Sequence, residues 1–342
     1  MTPVDILVVG AGPIGLGAAI EARLAGLSVL VCEPRARPVD KACGEGLMPG
    51  AVQALERLGV RPAGHPFAGI RYVDAGRAVE HRFRAGSGLG VRRTVLHDAL
   101  HVRAAEVGVE ITARRVGVIT QSPSGVAVGE GVQGRWLLAC DGLHSGVRRQ
   151  LGLQVPSTRQ PRYGVRRHFR IAPWSDVVEV HWTPLGEVYV TPVAEDLVGV
   201  AVLGTRGLDY DAVVSFAPPV RDRLSGARRG SDLLGAGPLR QSTSRRTCGR
   251  VLLVGDASGY VDALTGEGIR LGLDQARTAV AAVVAGQAED YERSWRRITR
   301  DYRLLTTALV AAATRPTLRR RVVPLAARMP RLYGAIVDRL AS

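Results

Sequence analysis

Apolar runs alternate with glycine turns and helix-type spacing in the first third of the chain. Val4–Val9 is apolar except for Asp5, which is typical of a buried strand. Helix-type spacing follows over residues 16–25, and a second apolar strand covers residues 28–32. A strand, a helix and a strand in this order predict a parallel sheet with a crossover helix.

The same reading extends over the rest of the chain. Helices are predicted at 50–58, 93–107 and 268–285, strands at 109–113, 136–140 and 251–254, and hairpins over 67–83 and 116–128. Residues 163–171, 177–182, 187–193 and 197–203 predict four strands of an antiparallel sheet. Residues 290–341 predict helices interrupted at Pro316 and near Pro324 and Pro330.

These elements predict an α/β fold that combines a Rossmann-type nucleotide-binding domain, an inserted antiparallel β-sheet substrate domain and C-terminal helices. The nucleotide-binding domain is discontinuous, over 1–65, 85–160 and 240–285. The substrate domain covers 66–84 and 161–239, and the helical region covers 286–342.

A glycine-rich turn, GAGPIG at residues 10–15, follows the first strand. Gly10 permits the tight turn, Gly12 lets the backbone approach a pyrophosphate, and Gly15 lets the helix pack close to the strand. Glu33 ends the second strand, where a carboxylate can accept hydrogen bonds from a ribose. This context favours dinucleotide binding over an ordinary glycine-rich turn.

Composition narrows the class of protein. The net charge is +15, but 45 of the 46 basic residues are arginines, scattered apart from the run at 319–321, and only Lys41 is lysine. Without a basic patch interleaved with aromatic residues, we expect no nucleic-acid partner. The four cysteines lack metal-binding spacing, so we expect no metal and a reducing cytoplasm. No signal peptide or integral membrane segment is predicted.

Two further strand ends carry candidate ligand contacts. Asp141 and Gly142 follow one strand, and Gly255 and Asp256 follow another. Ligands of open α/β sheets bind beyond the carboxyl ends of strands, where each aspartate can hold a ribose or ribityl hydroxyl. The segment GEGI, residues 266–269, precedes a helix whose N-terminus can stabilise negative charge on a ring system.

In this combination the chain, over roughly residues 1–285, resembles the FAD-dependent oxidoreductases of the para-hydroxybenzoate hydroxylase fold. These include aromatic hydroxylases, flavin halogenases and geranylgeranyl reductases. The Arg-x-x-Leu start of a family helix matches Arg93 and Leu96. The resemblance implies FAD as cofactor, held by Gly10, Gly12, Pro13, Ile14, Gly15, Glu33, Pro34, Arg35, Cys43, Gly44, Arg93, Asp141, Gly142, Gly255, Asp256, Gly266, Glu267, Gly268 and Ile269.

Two loops, residues 43–47 and 262–269, resemble the reductase and halogenase branch. Ala263 stands where that branch usually has proline, and the halogenase Trp-x-Trp-x-Ile-Pro signature is absent. The reductase signature Tyr-x-Trp-x-Phe-Pro would fall on residues 187–192. Only Pro192 matches it, with Tyr189 in place of Trp and Thr191 in place of Phe.

The resemblance implies an FAD-dependent monooxygenase that oxidises a small organic molecule of secondary metabolism, with NAD(P)H as transient electron donor and O2 as co-substrate. One alternative is a reductase or dehydrogenase of the geranylgeranyl reductase type, acting by hydride transfer at a carbon centre. A second alternative is a non-catalytic nucleotide-binding protein. The substrate, the choice between NADH and NADPH, and the oligomeric state stay open.

The catalytic side chains are not assigned by the sequence. Candidates are Glu45, Asp262, His181 and Tyr189, which fall on loops or strands expected beside the flavin. The plainer interpretation gives each of them a structural role.

The arginines at 319–321, 328 and 331 are expected on helices packed on their own domain with a solvated arginine face; peripheral contact with an anionic membrane is the alternative.

Overall fold

A computed structural model describes residues 3–129 and 131–342 of the chain. The strands are β1 (Val4–Val9), β2 (Val29–Cys32), β3 (Gly46–Leu47), β4 (His65–Phe67), β5 (Gly69–Asp74), β6 (Arg77–Arg82), β7 (Gly88–Gly90), β8 (Glu110–Thr112), β9 (Ile119–Gln121), β10 (Val126–Val128), β11 (Val132–Ala139), β12 (Gln154–Val155), β13 (Arg162–Arg170), β14 (Val178–Trp182), β15 (Gly186–Ala194), β16 (Leu197–Thr205), β17 (Arg228–Arg229), β18 (Leu234–Ala236), β19 (Ser242–Thr243), β20 (Thr247–Cys248) and β21 (Val251–Leu253).

The α-helices are α1 (Pro13–Leu24), α2 (Pro49–Arg57), α3 (Arg93–Glu106), α4 (Gly146–Gln150), α5 (Tyr210–Ser215), α6 (Pro218–Leu224), α7 (Gly268–Val284), α8 (Glu289–Ala313), α9 (Pro316–Arg319), α10 (Val322–Arg328) and α11 (Pro330–Ala341). A short 3-10 helix covers Gly255–Ser258.

The parallel core has the strand order β21-β11-β1-β2-β8. In register, Val9 lies between Ala139 and Cys32, so the carboxyl ends of three strands meet at one edge. This confirms the predicted nucleotide-binding sheet. Strand β11 begins at Val132, earlier than the predicted residue 136, because its first residues also pair antiparallel with β10.

A second sheet has the order β17-β13-β16-β15-β14-β5-β6, antiparallel except where β14 meets β5. Side chains alternate between its faces. Val188 and Val190 of β15 pack beneath α5 and α6 in one apolar cluster, whereas Tyr189 and Thr191 face the parallel core. The predicted α/β fold with an inserted, mostly antiparallel sheet is confirmed, while the exact domain limits stay a prediction.

The C-terminal helices complete the fold. Tyr291 of α8 donates to the carbonyl of Leu253 at 2.8 Å, and Trp295 donates to Ser258 at 2.8 Å, which fixes α8 against β21. Helices α10 and α11 pack against β5 and β6. Pro324 lies in the first turn of α10, where a proline is tolerated. Within the described residues, every helix is too short or too polar to cross a membrane.

Candidate active site

A cavity of about 750 Å³ lies between the carboxyl edge of the parallel sheet and the second sheet. Its floor is the glycine turn and the loops after β11 and β21, and its roof is formed by β14, β15 and β16. Helices α8, α10 and α11 supply a third, aliphatic wall. Three strand ends and the inserted sheet therefore converge on one space.

The glycine turn and Arg93 form an anion site. Gly12 precedes α1 without a side-chain cap, so the first N–H groups of this helix are available to a ligand. A methyl group on Gly12 would have Arg93 Nη2, at 4.0 Å, as its nearest neighbour. Arg93 Nε is buried and has no hydrogen-bond partner among the described residues. An open backbone, a helix N-terminus and an unpaired guanidinium nitrogen fit a pyrophosphate.

Glu33 is buried at the end of β2. Its carboxylate accepts hydrogen bonds from the Ala11 N–H at 3.0 Å and from Arg35 Nε at 2.8 Å. Burial acts to raise the pKa of Glu33, but these hydrogen bonds and the Arg35 charge outweigh it and lower the pKa to about 2. An ionised carboxylate held at this position can accept hydrogen bonds from a ribose.

His97 supports the glycine turn from behind, and the sequence patterns did not indicate it. Its Nε2 lies 2.9 Å from the Ala11 carbonyl oxygen. Its ring meets that of His101 edge-on, with centroids 4.6 Å apart. Burial, with the neighbouring charges of His97 and Arg37, lowers the pKa of His101 to about 4. Burial also lowers the pKa of His97, so both rings favour the neutral form beneath the turn.

Arg148 joins the loops after β11 and β21. Its guanidinium donates to the carbonyls of Leu143 at 2.9 Å, Asp256 at 3.2 Å and Ala257 at 3.0 Å. Oδ1 of Asp141 is buried and has no partner among the described residues, so it can accept a ligand hydroxyl. Burial raises the pKa of Asp256, against the charges of Lys41, Arg93 and Arg148.

Lys41 is a cavity residue that the sequence patterns did not assign. A methyl group on Gly142 would lie 3.7 Å from Lys41 Nζ. Burial and the charges of Arg35 and Arg93 lower the pKa of Lys41, while Asp256 opposes the shift. Arg35, Lys41 and Arg93 all line the cavity. The one available signal was that a single lysine stands among 45 arginines.

Strand β15 holds two loops that line the cavity, residues 43–47 and 263–269. Tyr189 donates to the Leu264 carbonyl at 2.9 Å, and Thr191 donates to the Gly44 carbonyl at 2.9 Å. Burial raises the pKa of Tyr189 well above its usual value, so its hydroxyl stays protonated. The two residues that depart from the reductase signature thus position the loops.

The third residue of this face, Glu187, belongs to a buried ionic network. Arg162 donates to Glu187 at 2.7 Å and to Asp262 at 2.9 Å. Arg319 donates to Glu187 at 2.9 Å and to the Thr183 carbonyl at 3.0 Å. Arg319 therefore anchors the C-terminal region to the second sheet, which corrects the expectation that it belongs to a solvated arginine face.

Glu45 has a backbone φ of 59° and is 3% exposed. Its carboxylate accepts from the Arg93 N–H at 2.9 Å and contacts His168 Nε2 at 2.5 Å, with Arg166 Nη2 at 3.7 Å. His168 Nδ1 lies 2.8 Å from the Ser231 hydroxyl. A strained residue held by so many contacts is a marker of a functional loop.

Glu267 lies at the start of α7 and is buried. Its Oε2 accepts a hydrogen bond from Arg270 Nε at 2.6 Å, whereas Oε1 has no partner among the described residues. Burial, opposed by Arg270, raises the pKa of Glu267 to about 7. This buried carboxyl can therefore hold a proton near neutral pH.

Most predicted cofactor contacts line the cavity: Gly12, Pro13, Ile14, Arg35, Cys43, Gly44, Arg93, Asp141, Gly142, Asp256, Gly266, Glu267, Gly268 and Ile269. Others lie behind it. A methyl group on Gly15 would be 1.8 Å from the Gly10 carbonyl oxygen, so both glycines serve backbone packing. Gly255 lies against Ile14, and Pro34 is exposed beside Glu33.

The four catalytic candidates separate into two pairs. Glu45 and Tyr189 line the cavity. Asp262 lies beneath it, where burial raises its pKa and the charge of Arg162 opposes the shift. His181 lies on the opposite face of β14, because residues two apart share a face and it contacts Glu179 at 3.0 Å. No group of three or more His, Cys, Asp or Glu in the described part of the chain is arranged to hold a metal.

The fold and the site define a flavin nucleotide-binding protein. Comparison with known proteins agrees: the FAD binding domain family matches residues 3–219, and the chain belongs to this family. The predicted resemblance to FAD-dependent oxidoreductases of the para-hydroxybenzoate hydroxylase fold is confirmed.

Relatives match most of the chain, and a solved structure matches nearly all of it. The menaquinone reductase of Mycolicibacterium smegmatis is 33% identical, over 86% of this chain and 80% of that protein. Digeranylgeranylglycerophospholipid reductase 1 of Methanopyrus kandleri is 31% identical, over 84% of this chain and 82% of its own length. A triple mutant of the flavin-dependent brominase Bmp2 superposes with a TM-score of 0.83 at 17% identity, over 99% of this chain and 94% of that one.

Proposed function

We propose that this FAD-dependent oxidoreductase is a reductase that saturates a carbon–carbon double bond in a long, apolar, prenyl-type substrate. The observation that carries the proposal is the aliphatic wall of the cavity, contributed by α8, α10 and α11. Leu305, Leu309, Ile336, Val337 and Leu340 line it. Such a wall offers no hydrogen bonds and favours a hydrocarbon chain. The reductase names of relatives that match most of the chain support the same class.

The glycine turn, Arg93 and Lys41 would hold the FAD pyrophosphate, and Glu33 a ribose. Asp141 and Asp256 would hold hydroxyls of the cofactor. When bound and reduced, FAD supplies hydride-transfer chemistry, with NAD(P)H as the proposed electron donor.

Saturation of a double bond adds a hydride to one carbon and a proton to the other, so the proposed reaction needs a proton donor beside the substrate. Oε1 of Glu267, unpaired among the described residues, would hold that proton. Tyr189 and Thr191 would fix the flanking loops through their hydrogen bonds to Leu264 and Gly44. The aliphatic wall would exclude water from the reacting carbons.

Monooxygenation with NAD(P)H and O2 is the second candidate. The rifampicin monooxygenase of Streptomyces venezuelae is 32% identical, over 44% of this chain and 34% of that protein. This match supports a shared cofactor site more than a shared substrate wall, because it covers less than half of the chain.

Anaerobic incubation separates the two candidates. The FAD-loaded protein is reduced with NADH, NADPH or dithionite and mixed with a geranylgeranyl-bearing lipid or a prenylated quinone. We expect mass spectrometry to find products with two added hydrogen atoms per reduced bond, without oxygen. Products that form only in air and contain an added oxygen atom would instead establish the monooxygenase.

A further inference from the structure

The mouth of the cavity carries exposed aliphatic side chains. Leu325, Met329 and Leu332 line the cavity, yet they are 54%, 40% and 52% exposed. Residues that both line a cavity and face solvent lie at its rim. Soluble proteins expose single apolar residues widely, but a cluster at the opening of an apolar chamber marks an interaction site.

Arginines flank these residues. Residues 315–342 contain seven arginines and one acidic residue, Asp338. Among them, Arg320, Arg321, Arg328 and Arg331 are exposed and form no ion pair or side-chain hydrogen bond within the described part of the chain.

The acidic residue does not balance these arginines. Asp338 contacts His81 Nε2 at 2.9 Å and Arg84 Nε at 3.4 Å, so the second sheet already engages it. The charge of residues 315–342 is therefore positive, and four of their arginines have no side-chain partner among the described residues.

We propose that the rim surface, residues 320–332, docks on an anionic lipid bilayer with its aliphatic side chains inserted at the headgroup boundary. An apolar strip flanked by arginines is the pattern of interfacial helices. Each arginine near an anionic leaflet gains about 1 kcal/mol, roughly a fivefold gain in affinity. The rim surface needs no transmembrane segment for this contact.

Other occupants fit the rim surface less well. In a symmetric pair of copies, the same arginines would face each other, and like charges at an interface are unfavourable. Nucleic acid would use the arginines and leave Leu325, Met329 and Leu332 without partners. A bilayer satisfies both the charge and the apolar strip.

The proposed contact between the rim surface and a bilayer depends only on the exposure and charge of that surface. Only its use as a substrate entrance rests on the proposed function, since a lipid-borne substrate could pass from the bilayer into the aliphatic chamber. The following tests measure binding without turnover, so their failure is distinguishable from failure of the reductase proposal.

The first test is co-sedimentation of the FAD-loaded full chain with vesicles. We expect binding to equal parts of phosphatidylglycerol and phosphatidylcholine, little binding to phosphatidylcholine alone, and loss of binding at high salt. The double variant Arg328→Gln with Arg331→Gln should lower the partition coefficient about thirtyfold. Arg228→Gln with Arg229→Gln is the matched control, because β17 is the opposite edge of the sheet from β6, where α10 and α11 pack.

The second test measures which side of the protein contacts the bilayer. Tryptophan in Leu332→Trp should be quenched by brominated lipids, whereas tryptophan in Phe216→Trp should not. Phe216 is 53% exposed, close to the 52% of Leu332, but it follows α5 on the far side of the second sheet. The quenching of each variant is compared with that of the unmodified chain.

Three results would overturn the proposal. One is an equal loss of vesicle binding in the Arg328/Arg331 and Arg228/Arg229 double variants, which would mean that binding depends only on net charge. Another is equal quenching of the two tryptophans. The third is a dimer in solution that Leu332→Trp abolishes, combined with no vesicle binding, which would assign the rim surface to a second copy.

Discussion

Replacement of Gly12 by alanine should separate cofactor binding from folding. Gly12 has φ −66° and ψ 174°, a conformation open to any residue. The added methyl group would meet nothing closer than Arg93 Nη2 at 4.0 Å, an ordinary contact. The cofactor-free protein should therefore be unchanged or about 0.4–1 kcal/mol more stable, because alanine restricts the unfolded chain.

With FAD bound, the same methyl group would occupy the space assigned to the pyrophosphate. Overpacking typically costs about 1–3 kcal/mol, which corresponds to roughly 5-fold to 150-fold weaker FAD binding. FAD titration of the stripped protein by fluorescence, with thermal unfolding at several FAD concentrations, measures both effects.

Two other glycines are the controls for this prediction. Gly117→Ala adds a methyl group in open space, so it should show the same small effect on stability through the unfolded chain and leave FAD affinity unchanged. Gly15→Ala forces a methyl group to within 1.8 Å of the Gly10 carbonyl oxygen and should prevent normal folding. Folded Gly12→Ala protein with unchanged FAD affinity would refute the placement of the pyrophosphate over Gly12.

Three further outcomes are expected. Glu267→Gln should lower the anaerobic rate of reduction by about 10²–10⁴-fold. It should also abolish the loss of rate as pH rises through about 7, because that loss follows deprotonation of the Glu267 carboxyl. If rapid-mixing kinetics of the variant keep the pH dependence, Glu267 is excluded as the proton source. The pKa of His101 is lowered to about 4 in the folded chain, so its contribution to stability is full above about 6.5 and declines as pH falls toward 4. Urea unfolding at several pH values should show this decline, and His101→Gln should reduce it. Arg319→Met should lower the free energy of unfolding by about 3 kcal/mol, because Glu187 loses a buried partner. Replacement of the exposed neighbour, Arg320→Met, should change it by no more than about 0.5 kcal/mol. Equal urea midpoints for the two variants would argue against a stabilising ion pair between Arg319 and Glu187.

Local patterns in the sequence were sufficient for the parallel core. Apolar runs, the glycine turn and the carboxylate of Glu33 are encoded within a few residues, so strand, turn and helix follow from spacing alone. The second sheet was also readable, because its strands alternate regularly. The contacts of this sheet could not be predicted. Tyr189 and Thr191 donate to the backbone carbonyls of Leu264 and Gly44, and no pattern of side chains in a sequence indicates a carbonyl partner.

The aliphatic wall, in contrast, could not be predicted from local patterns in the sequence. Leu325 and Leu332 lie on α10 and α11, whose apolar spacing resembles that of any helix packed on a core, and Met329 lies between the two helices. Whether such a stripe faces protein or an open chamber depends on tertiary placement, which spacing does not encode. Similarly, Arg319 and Arg320 are neighbours in one arginine run, yet the first is held in a buried network and the second is exposed.

The carbonyl contacts of Arg148 also bear on how the protein matures during synthesis. Arg148 precedes the carbonyls of Asp256 and Ala257 by more than 100 residues. A nascent chain that has released only the first half from the ribosome therefore carries a guanidinium without two of its carbonyl acceptors and a parallel sheet without strand β21. We expect flavin capture only late in translation, so fragments that end before β21 should not retain the yellow cofactor.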